Sequence, residues 1–246
     1  MSTQAIVHAQ GLKKRFGAVQ ALDGVSLQVK AGELYGLVGP DGAGKTTTLR
    51  MLAGVMGPDE GQVRIIGIDP LGGDRRVRSA LGYMPQQYSL YGDLSVDENL
   101  EFFSRMFCLS RADYRSQRQR LMHITRLERF GARRADALSG GMYKKLALAC
   151  SLLAKPQVLL LDEPTNGVDP VSRRELWRLL FELVEQGMAV VVSTAYMDEA
   201  ERCHRVGLLF EGRLHIEGVP SALMAERGHA GGTFEDLFLQ AVQEAA

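Results

Sequence analysis

The sequence predicts an α/β fold: a mainly parallel sheet, with an antiparallel β lobe beside it and an α-helical subdomain inserted in it. Three observations carry this expectation. The uninterrupted apolar run 158–161 reads as a strand covered on both faces, 34–38 as a buried strand, and 189–193 and 206–210 as further strands. After Pro156 these runs alternate with helical patterns, and repeated β-α-β order implies parallel neighbours. The stretch from about 95 to 155 reads as helical throughout.

Each element has its own reason. Residues 1–35 hold short β-type runs at 5–8, 19–22 and 25–29, punctuated by Gly11, Gly17, Gly24 and Gly32. A turn at 57–61 leads to a further strand at 62–66, and together these suggest the antiparallel lobe. The apolar strand 34–38 runs into a glycine-rich loop and then a helix at 48–53. Ser95 with Glu98 has the form of a capping box, introducing Leu100, Phe103, Met106 and Phe107 at helical spacing. Residues 115–130, rich in Arg and Gln, predict a solvated helix, and 143–154 predict a long helical segment. Asp169 and Pro170 open a helix as N-cap and first helical residue. Leu176, Leu179, Leu180, Leu183 and Val184 form its apolar stripe, and Gly187 ends it. A helix at 197–202 separates the last two strands, and a Gly-rich connection at 225–233 leads to an amphipathic helix at 234–242. The expected layout is one domain over 1–246. Residues 1–93 and 156–225 form the catalytic core and β lobe, about 94–155 the helical subdomain, and 226–246 a tail helix.

Bulk properties narrow the function. The 246 residues carry 29 basic and 29 acidic side chains, a formal net charge of zero. That argues against a nucleic-acid partner held by bulk electrostatics. Cys108, Cys150 and Cys203 are odd in number and lack metal-ligand spacing, which suits buried thiols in a reducing compartment. No apolar run reaches transmembrane length, and the N-terminus lacks a signal-peptide pattern. The expectation is a cytosolic protein whose membrane contact, if it has one, comes through a partner.

The chemistry concentrates in three segments. Gly39, Pro40, Asp41, Gly42, Ala43, Gly44, Lys45, Thr46 and Thr47 form a phosphate-binding loop of the type GxxxxGK[ST] between strand and helix. Its glycines let successive N–H groups curl round an anion, and the helix start presents its positive end to it. Lys45 suits the β- and γ-phosphates, and the Thr46 hydroxyl suits Mg²⁺. Asp162 and Glu163 end the strand after Leu159-Leu160-Leu161. Asp162 fits Mg²⁺ held through water, and Glu163, one residue on, fits a general base for the attacking water. Ser139, Gly140 and Gly141 form a second anion-suited helix start. One γ-phosphate uses both helix starts if they come from two chains arranged head to tail, so the pattern implies a second copy or a similar domain.

These motifs, in this order and over nearly the whole chain, resemble the ATP-binding subunits of ABC transporters. That resemblance implies a phosphate-loop NTPase (RecA-like) core, with ATP and Mg²⁺ as cofactors. It makes Phe16 the aromatic that stacks on adenine. Gln86, with Gln87 as neighbouring alternative, becomes the glutamine touching Mg²⁺ and the attacking water and reporting to the membrane subunit. Residues 166–169 become the loop crossing the dimer interface. The segments 82–86, 89–91, 94–96, 98–100 and 234–239 look like exporters of the drug and polysaccharide type. The Gly-Pro-Asp-Gly loop and residues 190–201 look like the first ATPase half of a tandem multidrug-export subunit. Implied partners are a second ATP-binding domain and an integral membrane permease, with the chain peripheral on the cytoplasmic face of the inner or plasma membrane. A soluble ATPase of this type acting on ribosomes or DNA, and a regulatory half without turnover, stay open as alternatives.

Three positions depart from the family pattern. Asp41 stands where Asn is usual, which is unfavourable beside phosphates unless it points away. Met142 replaces the usual Gln of the 138–142 signature. Ala195 stands where the family has a histidine that contacts the γ-phosphate. His204, nine positions on, reads as an ordinary surface residue. The resulting expectation is a site that binds Mg·ATP and hydrolyses it slowly, with Glu163 retained.

Overall fold

The computed structural model describes residues 5–87, 90–226 and 233–245. The first lobe begins with β1 (Ala5–Phe16) and β2 (Val19–Lys30), an antiparallel pair. The short runs expected here belong to two twelve-residue strands. Gly11 and Gly24 have positive φ and sit where the register shifts, so they bulge the strands and do not end them. The chain then enters β3 (Leu34–Val38) and α1 (Lys45–Leu52), three residues earlier than the expected helix start. It returns through β4 (Glu60–Ile65), which pairs with the free side of β1 to give the order β2-β1-β4.

A short α2 (Arg75–Ala80) feeds β5 (Leu81–Met84), a strand the sequence reading did not anticipate. Three helices follow: α3 (Val96–Met106), α4 (Arg111–Thr125) and α5 (Gly140–Leu152). The capping box of α3 is complete, with Glu98 N–H donating to Ser95 Oγ at 3.2 Å and Ser95 N–H to Glu98 Oε2 at 2.8 Å. Leu100 is fully buried, but Met106 is 61% exposed, so the stripe fades at its C-terminal end. Cys108, just beyond the helix, is exposed and not buried as expected, whereas Cys150 and Cys203 are buried. The expected solvated helix buries Gln117, Leu121, Met122 and Thr125. It stops at Arg126, in the left-handed region at φ 59°, and residues 128–130 form a separate 3₁₀ turn.

The second half supplies β6 (Val158–Asp162), α6 (Pro170–Glu185), β7 (Ala189–Thr194), α7 (Met197–Ala200) and β8 (Arg205–Phe210). A hairpin through Glu211 and Gly212, both at positive φ, adds β9 (Arg213–Gly218), also unforeseen. Then come α8 (Pro220–Glu226) and α9 (Phe234–Ala245). Residues 227–232 of the expected Gly-rich connection lie outside the described residues.

The main sheet has the order β5-β6-β7-β3-β8-β9, parallel except for the edge strand β9. Its central strands are buried on both faces, and successive side chains go to different cores. Leu159, Leu161, Val190 and Val192 face the cluster built with α5 and α6. Val158, Leu160, Ala189 and Val191 face the cluster shared with the β lobe and α1. Asp169 caps α6, accepting from Val171 and Ser172 N–H at 3.0 Å each. The stripe from Leu176 to Val184 is buried as expected, with Trp177 added to it. Phe234 and Leu237 of α9 are fully buried, so the tail helix packs into the first cluster. Among the described residues no helix is long and apolar enough to cross a membrane.

Candidate functional site

The loop between β3 and α1 is shaped by close backbone approach. A Cβ on Gly39 would stand 2.1 Å from the Leu209 carbonyl oxygen. Gly44, the N-cap of α1, has φ 107°, and a Cβ there would meet Ala21 O at 2.7 Å and Leu22 Cδ2 at 2.6 Å. Only glycine satisfies both the conformation and the space at Gly44. No side chain caps α1, which suits a helix start whose N–H groups serve an anion.

Lys45 lies inside this loop, 4% exposed. Its ammonium donates to Gly39 O at 2.8 Å and Pro40 O at 3.0 Å, and stands 3.2 Å from Glu163 Oε1. Asp41, the residue at odds with the family pattern, has a side chain 95% exposed, with its carboxylate 4.0 Å from Lys45 Nζ. It sits on the rim, where solvent screens its charge.

The two carboxylates at the end of β6 are treated differently. Asp162 is 1% exposed. Its Oδ1 accepts from Ser193 Oγ at 2.7 Å and from Thr46 Oγ1 at 3.2 Å, while buried Oδ2 has no hydrogen-bond partner. Burial raises its pKa above the usual carboxylate range, and the hydroxyls of Ser193 and Thr46 oppose that rise. Glu163 adopts φ 47°, uncommon for a residue with a side chain. Its N–H is held by Ser193 Oγ at 3.0 Å. Its Oε2 accepts from Gln86 Nε2 at 2.7 Å and Asn166 Nδ2 at 3.2 Å, leaving Oε1 toward Lys45. Loop and strand ends thus gather Lys45, Thr46, Gln86, Asp162 and Glu163. Of the two glutamines, Gln86 makes the contact and Gln87 is exposed.

Two members of this cluster were not read as such from the sequence. Ser193 bridges the two acidic residues because β6 and β7 pair Asp162 with Ser193. Asn166 belongs to the segment expected at a dimer interface, yet it also orients Glu163 of its own chain. Outside the phosphate loop, the other expected residues share no hydrogen bond with the cluster among the described residues. Phe16 ends β1, 46% exposed, with the Lys14 ammonium 5.8 Å from its ring centroid. Ser139 caps α5, accepting from Met142 N–H at 3.4 Å, and is exposed, as is Gly140. Gly141 is buried against Ser172. Ala195 is exposed just after β7. His204 is exposed and accepts from Leu34 N–H at 3.3 Å, at the end of β3 opposite the loop.

A glycine cradle and a buried lysine set at the ends of parallel strands define a phosphate-loop nucleotide-binding domain. A family model described as ABC transporter matches residues 22–166, and the chain belongs to the ABC transporter family. It is 48% identical over 221 residues to the probable multidrug ABC transporter ATP-binding protein YbhF of Escherichia coli (strain K12), covering 89% of this chain and 38% of that protein. The chain therefore spans well under half of that relative's length. It is 44% identical over 224 residues to Nod factor export ATP-binding protein I of Paraburkholderia xenovorans (strain LB400), covering 90% of this chain and 73% of that one. A solved ATP-binding subunit of an ABC transporter superposes with a TM-score of 0.87 at 28% identity, over 96% of this chain and 99% of its own. A dimeric post-hydrolysis state of the ATP-binding cassette MJ0796, bound to ADP and Pi, gives 0.79 at 29% identity, over 87% and 98%. The expected fold, a parallel core with an antiparallel lobe and a helical part, is the cassette fold of these proteins.

Proposed function

We propose that this chain is the ATP-hydrolysing subunit of an exporter, driving a separate membrane permease from the cytoplasmic face. The observation that carries the reading is the convergence of Lys45, Gln86 and Glu163, with Asp162 and Thr46 beside them. Loop N–H groups and Lys45 bind the β- and γ-phosphates. The donor set fits Mg²⁺: Asp162 Oδ2 is a buried acceptor lacking a partner, and the Thr46 hydroxyl adjoins the same carboxylate. Among the described residues no three His, Cys, Asp or Glu side chains form a ready-made metal set. Mg²⁺ accepts such a site, because it keeps several waters and shares phosphate oxygens. Held by Asp162 and Thr46, Mg²⁺ would neutralise charge on the phosphates. Glu163, held by Gln86 and Asn166, takes the proton of a water whose oxygen attacks the γ-phosphorus. The bond to the ADP oxygen then breaks.

The exposed Ala195 offers neither a hydrogen bond nor a charge to the γ-phosphate. On this reading the site binds Mg·ATP and turns it over slowly, losing roughly 10²–10³-fold for one absent positioned polar group. Steady-state phosphate release from the wild type and from Ala195→His tests this. A gain of about 10²-fold in the variant is expected, and a fast wild type with no gain refutes slow turnover.

Phe16 is exposed enough to stack on adenine. Ser139, Gly140 and Gly141 are proposed to meet the nucleotide of a second ATP-binding domain, as the dimeric state of MJ0796 suggests. Tyr91, 49% exposed beyond Gln86, suits contact with a permease helix. Tyr88 and Ser89, between Gln87 and Leu90, lie outside the described residues. The names of YbhF and Nod factor export protein I support small-molecule export. Copurification of a multi-span membrane protein is the expected outcome, and recovery on ribosomes or DNA overturns it.

A further inference from the structure

We propose that Lys144 is a positioning residue for hydrolysis, tying the main chain of Gln86 to α5 and so aiming the Gln86 amide at Glu163. The inference rests on the ATP-hydrolysing reading of the site. Lys144 Nζ donates to Gln86 O at 3.0 Å. From the same residue, Gln86 Nε2 donates to Glu163 Oε2 at 2.7 Å. Lys144, Gln86 and Glu163 thus form a continuous path from the helical subdomain to the proposed base. Lys144 lies one helical turn beyond Gly140 and Gly141, so the helix that presents the Ser139 turn also carries the tether.

The chemistry argues that the ammonium is needed there. Burial pulls Lys144 below the ordinary lysine range, and the negative charges of Asp162 and Glu163 oppose that pull. An apolar side chain of similar length avoids this desolvation, so a merely packed position gains nothing from lysine. The next residue provides an internal contrast. Lys145 points to a different partner, pairing with Glu175 of α6. Adjacent lysines thus serve separate ends: one joins two helices, and the other holds the loop beside the carboxylates.

The test uses the full chain, with single-turnover phosphate release to read slow rates, Mg·ATP affinity at equilibrium, and amide hydrogen exchange at Gln86 and Gln87 in nucleotide-free protein. Lys144→Met should slow hydrolysis about tenfold, consistent with displacement of a positioned group. Mg·ATP affinity should stay within about twofold, and exchange at residues 86 and 87 should accelerate about tenfold, as a lost tether permits local opening. Lys144→Arg, which keeps the charge and a donor, should recover hydrolysis to within about threefold. Lys145→Met should lower thermal stability while leaving hydrolysis within about twofold. Unchanged hydrolysis or unchanged exchange in Lys144→Met overturns the proposal, and so does a parallel loss of affinity. If Lys144→Met does not fold, Lys144→Gln, whose amide falls short of the carbonyl, takes the same measurements. A wild type that fails to bind Mg·ATP sinks the proposed function instead, and the exchange comparison still decides whether Lys144 holds Gln86.

Discussion

At Asp162 a single oxygen links stability to chemistry. A carboxyl whose pKa is raised by folding binds protons more tightly folded than unfolded, so its stabilising contribution is fullest near and below the usual value of about 3.9. That contribution is lost as pH rises through the folded-state pKa, above which the carboxyl is ionised with one oxygen unpaired. Asp162→Asn keeps an acceptor for Ser193 and Thr46 and removes the charge. It should raise the melting temperature of Mg²⁺-free protein at pH 7.5, with the advantage shrinking toward pH 4. It should also abolish the Mg²⁺ dependence of ATP binding; melting curves at the two pH values and titrations with and without Mg²⁺ check both. Glu199 is a different case, fully buried beside the 195–196 segment. It accepts from Thr194 Oγ1 at 2.7 Å and Trp177 Nε1 at 3.4 Å, with Arg173 Nε 3.6 Å away. Glu199→Ala strands these donors and a cation, and should destabilise the fold by about 3 kcal/mol, read as a lower urea midpoint. Lys45 and Asp162 were legible from local motif and strand end. Ser193 was not, because its role depends on which strand lies beside Asp162.

Among the elements, α5 and α6 meet where only glycine fits. A Cβ on Gly141 would stand 2.5 Å from Ser172 Cβ and 2.4 Å from its Oγ. Gly141→Ala should therefore shift the start of α5 and lower stability by about 2 kcal/mol, as overpacking does. Gly141→Ala with Ser172→Gly should recover part of the loss despite the lower helix propensity of glycine, and denaturant midpoints for the single and double variants decide it. Helix starts were legible because capping is local: Ser95 with Glu98, and Asp169 with Pro170, act within one turn. The edge strand β9 was not anticipated, although Arg213, Leu214, His215, Ile216 and Glu217 alternate polar and apolar in strand fashion. Gly11 and Gly24 misled in the other direction. A positive φ is compatible with ending a strand or bulging it, and only pairing with β2 settles which.

Across the whole molecule, the phosphate loop joins both cores. Its strand β3 sends Leu34 and Val38 to one cluster and Tyr35 and Leu37 to the other. A ligand seated on the loop should stabilise the entire cassette by mass action, about 2.7 kcal/mol at a hundred times its Kd. Scanning calorimetry with Mg·ATP should show this as a higher Tm, and Lys45→Ala should lose the shift. The proposed pairing with a second domain gives a concentration-dependent prediction. Glu163→Gln removes the proposed base while keeping an acceptor for Gln86, so it should retain ATP and slow hydrolysis by roughly 10²–10³-fold. With Mg·ATP it should elute as a dimer in size-exclusion chromatography. Adding Ser139→Arg should return it to monomer, since a bulky group at the exposed turn obstructs the facing nucleotide.

The amino-acid order alone determined the phosphate loop, the acidic strand end, the second helix start and the alternation that makes a parallel sheet. Each is a short-range pattern, set by glycine conformation, helical caps or apolar runs a few residues long. Tertiary structure decided that Gln86 and not Gln87 meets Glu163, 77 residues away, and that the Thr46 hydroxyl donates to Asp162 across 116. It also decided that Asn166 serves its own chain and that Lys144 reaches the Gln86 carbonyl. Such contacts follow from strand order and register, and those are settled only when the two faces of the sheet find their cores.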